Sequence, residues 1–128
     1  MVIVKKISIK TVGPKPSTTE DKDLVTVAGI ITGLTTGEST YGTWVKLLGS
    51  FKARNLETDE VFASGACILP SIANDILVGS FQGEPLEFAV MISSSPGDTP
   101  TGYEYRVTSL IESQESESML QLMKAANI

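Results

Sequence analysis

Apolar residues recur at period two along most of this chain, the mark of half-buried strands. In residues 1–12, Val2, Val4, Ile7 and Ile9 sit near that period and predict an N-terminal strand. Residues 13–23 carry Pro14 and Pro16 in a polar run and predict a loop, because proline cannot donate to a ladder. Residues 24–36 are rich in Val, Ile and Thr and predict a long strand, with Gly29 and Gly33 marking bends or bulges. A turn at 36–39 leads to a second long strand, 41–54, bent near Gly49. A short polar link, 56–60, precedes a third strand at 61–69, rich in small residues.

The period then changes. Ile72, Ile76 and Leu77 fall on one side of a helix that begins at Pro70 or Ser71, with Ser71 as N-cap and Gly79 as stop. Leu86, Phe88, Val90 and Ile92 return to strict alternation and predict a fourth strand over 85–94. A polar loop at 93–102 leads to a fifth strand, 103–112. Residues 114–128, with Met119, Leu120, Leu122 and Met123 as an apolar stripe, read as a C-terminal helix or tail. Three strands, a helix and two strands is the order of the five-stranded OB-fold barrel. The expected architecture is therefore all-β with one helix: that barrel, an N-terminal strand and an acidic C-terminal tail. It divides into a domain at 1–112 and a tail at 113–128.

Composition narrows the chemistry. The 128 residues, 41% hydrophobic and 20% charged, suit one globular domain. No apolar run nears the roughly 18 residues that span a bilayer, and residues 1–10 do not read as a signal peptide. Cys67 is the single cysteine, which excludes an internal disulfide and suggests a reducing compartment. There is no histidine, so Ser-His-Asp, Cys-His and His-metal devices are excluded. Gly33-x-x-x-Gly37 lacks the Gly-Lys-Ser/Thr of a phosphate loop. Glu20, Asp21 and Asp23 lack calcium-loop spacing. No enzyme, cofactor or metal is expected.

The net charge of −5 argues against a polyanionic partner until it is divided. Residues 1–54 hold eight Lys/Arg and four Asp/Glu, net +4; residues 55–128 hold two and eleven, net −9. The local field at a binding face matters more than the total. Within the basic half, residues 41–54 interleave Tyr41, Trp44, Lys46, Lys52 and Arg54. Aromatic faces stack unpaired bases and cations meet phosphates, so this stretch points to single-stranded nucleic acid. If Thr43, Val45 and Leu47 face a core, Trp44 and Lys46 lie together outside it. The alternative for Trp44 is packing at a barrel edge, and for Tyr41 closure of the barrel mouth. Lys52 and Arg54 point outward after the bend, to phosphates or to solvent at a strand edge. Tyr103 and Tyr105 share one face of the fifth strand, for stacking or for packing. Arg106 lies on the other, with a phosphate or a nearby acid as partner. Lys5, Lys6 and Lys10 make a mild basic cluster that reads as a solvated strand face. Phe51, Phe62, Phe81 and Phe88 read as structural, and Cys67 as a buried hydrophobe.

The run Thr-Gly-x-Ser-x-Tyr-Gly-x-Trp-x-Lys at 36–46, followed by Gly-Ser-Phe-x-Ala at 49–53, resembles single-stranded DNA-binding proteins of tailed bacteriophages. The resemblance covers roughly residues 24 to 112. It implies a non-catalytic protein that coats single-stranded DNA during replication or recombination in the host cytoplasm. It also implies replication or recombination proteins as partners of the acidic tail, and leaves homo-oligomerisation open. The tail departs from the family's pattern by ending Lys-Ala-Ala-Asn-Ile. A phage structural or assembly protein using the barrel for protein contact, and an RNA-binding barrel, are the competing readings.

Overall fold

The computed structural model describes residues 7–40 and 42–113, without the Lys10 side chain. In chain order these form β1 Ile7–Ser8, α1 Ile9–Val12, β2 Lys22–Ser39, β3 Gly42–Asn55, β4 Val61–Ile68, α2 Ser71–Ser80, β5 Leu86–Pro96 and β6 Tyr103–Ser113. The strands make one mixed sheet of spatial order β1-β4-β3-β2-β5-β6. β1 runs parallel to β4; the other described pairings are antiparallel. β2, β3 and β4 form a meander, α2 follows, and β5 returns beside β2. The five long strands and the helix thus keep the expected order. The sheet is open, with β1 and β6 at its edges. A barrel would need a further ladder joining the two sides, and none is among the described pairings.

Directly opposed residues share a face of a sheet. Val25, Val27 and Gly29 of β2 meet Asn55, Ala53 and Phe51 of β3 on one side, and Ile92, Val90 and Phe88 of β5 on the other. This is the core face, where the Phe51 and Phe88 rings lie 5.9 Å apart. Ile7, Ile9, Val12, Leu69, Ala73 and Leu77 pack over it. β3 bends at Gly49, whose φ of +153° and 1.9 Å approach of an added Cβ to the Ile30 carbonyl oxygen both require glycine. β2 carries a register shift between Ile31 and Gly33, in line with the bulge expected there.

Four local expectations change. Residues 1–12 do not form one strand in the described part: only Ile7 and Ser8 do, and Ile9–Val12 is a single helical turn. Ile9 and Val12 are three apart, so one turn buries both; period two competes poorly over so short a piece. In α2 the N-cap is Pro70, not Ser71, and its carbonyl accepts from the Ala73 and Asn74 N–H groups at 2.9 and 2.8 Å. The helix runs through Gly79 to Ser80, and its buried side is Ala73, Asn74 and Leu77. Ile72 and Ile76 are 49% and 43% exposed. Asn74 rotates the helix: its amide accepts from Leu69 N–H at 3.2 Å and donates to the Val45 carbonyl at 3.1 Å. A pattern that weighs only aliphatic residues misses that polar anchor. β5 continues through Ser93, Ser94 and Ser95, which are buried strand rather than loop. β2 also runs further than expected, to Ser39, so 36–39 is strand paired with 42–45 rather than a turn. The C-terminal helix or tail at 114–128, Lys5, Lys6 and Tyr41 lie outside the described residues, as does the Lys10 side chain.

Candidate nucleic-acid interface

In β3 the odd positions Leu47, Phe51, Ala53 and Asn55 are buried on the core face. Strand alternation sends Trp44, Lys46, Lys52 and Arg54 to the outer face. From 44 to 54 this track is about 33 Å long at the usual strand rise. Trp44 is half-buried because its indole lies across the backbone of its cross-strand partner, Gly37. A Cβ at Gly37 would come within 2.0 Å of Trp44 Cζ2. Lys46 Nζ sits 5.3 Å from the indole centroid, within cation–π range. The ring is thereby held flat on the sheet beside a cation, as a stacking platform requires.

Lys52 is exposed opposite Ala28. Arg54 is already engaged: its Nη2 and Nε donate to Asp59 Oδ1 at 2.6 and 3.0 Å. Asp59 holds φ +63° in the β3–β4 turn, a conformation that Asp tolerates better than most side chains. Its side chain is 71% exposed, and such pairs are worth about 0–1 kcal/mol, so a phosphate can compete for the guanidinium. Arg106 of β6 is exposed, paired with Ser93, and on the same outer face. Two strands separate it from β3, about 14 Å at ordinary spacing.

Tyr103 and Tyr105 are placed elsewhere. They oppose Pro96 and Ser94, in the row that contains Ile92 and Val107, so they lie on the core face. Their rings meet edge to face at 5.5 Å. Tyr105 packs against the core, and burial followed by the Tyr103 hydroxyl pushes its phenol up to about 12. The fold brings Trp44, Lys46, Lys52 and Arg54 onto one track, adds Arg106 at a distance, and puts the tyrosines on the opposite side.

A single-stranded DNA-binding protein of Enterobacteria phage PRD1 is 42% identical over 127 residues, 95% of this chain and 79% of that protein. The chain belongs to this family of phage single-stranded DNA-binding proteins. No family model and no solved structure matches it.

For this family member, three supporting residues escape the sequence reading. Gly37 looks like a turn glycine, but its role is to seat Trp44; only the register, with Gly37 opposite Trp44, reveals that. Asn55 looks like strand end. It is buried, donates to the Val12 carbonyl at 3.1 Å, and accepts from the Glu57 and Thr58 N–H groups at 2.8 and 3.0 Å. It thus fixes the turn that presents Asp59 to Arg54. Asp59 itself gives no signal beyond its place in a polar link. Cys67 is fully buried, and burial pushes its thiol up to about 12, so it is inert packing.

Proposed function

We propose that this chain binds single-stranded DNA without catalysis and with little sequence preference, along the outer face of β3. The observation that carries the reading is Trp44, seated on Gly37 and flanked by Lys46, in a chain whose phage PRD1 relative is named a single-stranded DNA-binding protein. Trp44 stacks a base, and Tyr41, three residues before it in the sequence, supplies a second aromatic. Lys46, Lys52 and Arg54 meet phosphates at intervals along the strand, and Arg106 extends the positive track. The strand order supports an OB-type sheet as the scaffold. The role is in phage replication or recombination in the host cytoplasm, where the acidic C-terminal segment meets other replication proteins.

Four cations, Arg106 included, give an expected slope of log affinity against log salt of about −3, since single strands lose ~0.7 per phosphate contact. Anisotropy of a labelled oligo-dT across a salt series measures it. A slope near zero would move the reading to protein contact through the same face. Competition by oligo-U as strong as by oligo-dT would move it to RNA.

A further inference from the structure

The tyrosine pair on the core face closes one side of a cleft of about 310 Å³. The segment after α1 closes the other, with Pro14, Lys15 and Pro16. That size falls at the lower end of small-ligand sites, which span roughly 300–1,000 Å³. Two proline rings and two phenol rings make the walls flat and apolar, and proline restricts the loop backbone. Lys22 ties that loop down: its Nζ donates to the Lys15 carbonyl at 3.3 Å and to Glu57 at 2.6 Å. Lys15 is exposed, and no Asp or Glu is among the described residues that line the cleft. Tyr105 is anchored in the core, while Tyr103 is half-buried at the cleft wall.

We infer that this cleft is a second nucleobase subsite, in which a base stacks on Tyr103 and Lys15 meets the adjacent phosphate. The inference rests on the single-strand-binding reading above and adds a site on the opposite side of the sheet from Trp44. The way round lies at β6, at the Arg54 end of the track: the row of Asp23, Ser93 and Arg106 is fourteen residues along β2 from Gly37, the partner of Trp44, about 46 Å at the usual strand rise. Arg106 lies on the outer face of this edge strand and Tyr105, its sequence neighbour, on the inner. A DNA strand leaving the outer track over Arg106 rounds the edge and arrives at the cleft. Among the described lining residues, aromatic walls with one cation and no acid suit a base with its phosphate.

The test uses the full chain with oligo-dT carrying 5-iododeoxyuridine, cross-linked by near-ultraviolet light and mapped by peptide mass. Cross-links to the peptide holding Tyr103, in addition to the one holding Trp44, are expected. Tyr103→Ala should weaken binding by about 5- to 150-fold, the range for one stacked base, while saturating Trp44 quenching persists. Tyr103→Phe should keep near-normal affinity. Lys15→Ala, at an exposed position that cannot unfold the sheet, should lower the salt slope by about 0.7. Cross-links confined to residues 41–54, with the Lys15→Ala slope unchanged, would overturn the cleft and leave the outer track standing. Cross-links at Tyr103 without Trp44 quenching would overturn the outer track and keep the cleft. Neither signal would overturn both.

Discussion

Replacing Gly37 by alanine tests how the stacking platform is made. The added Cβ would lie 2.0 Å from Trp44 Cζ2, 2.6 Å from Cη2 and 2.5 Å from Cε2. Carbon atoms rest at about 3.5 Å or more, so the indole must retreat by about 1.5 Å or swing off the sheet. Either movement separates it from Lys46 and forfeits about 0.5–1 kcal/mol of cation–π attraction. A displaced ring also loses its stacked base, worth about 1–3 kcal/mol. The expected result is a 5- to 150-fold loss of oligo-dT affinity, with a shifted Trp44 emission maximum in the free protein. Global stability should change little, because Gly37 lies beyond the core in the projecting hairpin. Urea unfolding reads stability, and fluorescence titration reads affinity. Gly33→Ala is the matched control: four residues earlier on β2, with no atom within 4 Å of its added Cβ. Equal affinity and equal quenching in Gly37→Ala and the unaltered chain would refute the seating of Trp44 on Gly37.

Other outcomes follow from the same geometry. Asp59→Asn keeps a side chain that tolerates φ +63° but removes the carboxylate charge beside Arg54, so oligo-dT affinity should rise by up to about 5-fold with a steeper salt slope; a weaker complex would show that the pair orders the site. Leu77→Ala should cost about 2–5 kcal/mol in urea unfolding, and Ile76→Ala under about 1 kcal/mol; the reverse order would contradict the observed face of α2. Cys67 should resist thiol reagents at pH 8 until the protein unfolds. Its thiol titrates near 9 when exposed and near 12 when folded, so this stability term is complete below pH 9 and fades as pH climbs towards 12. Labelling of native protein within seconds would contradict that burial.

The long strands were legible because alternation over ten or more residues outweighs local noise. Leu86, Phe88, Val90 and Ile92 alternate and are all buried. Outward placement of Trp44 and Lys46 followed from the same parity, since Leu47 marks the core side. What failed was short or polar. The turn at Ile9–Val12 is too brief for either period to dominate. Asn74 rotates α2 through two hydrogen bonds that no hydrophobic pattern encodes. The serines at 93–95 read as loop because buried hydroxyls look like solvent-facing ones; Ser93 is accommodated by donating to Asp23 at 2.7 Å. Family membership was legible from one run of residues around Trp44, whereas the split of aromatics between two faces needed the β5–β6 register.

The most direct measurement is titration of Trp44 fluorescence with oligo-dT at low and moderate salt. Trp44 is the only tryptophan in the sequence, so the signal reports one position on the outer face of β3. Saturable quenching that weakens as salt rises is the predicted result. Unchanged emission at low salt, under conditions where the oligonucleotide is bound, would contradict base stacking on Trp44 and with it the outer track.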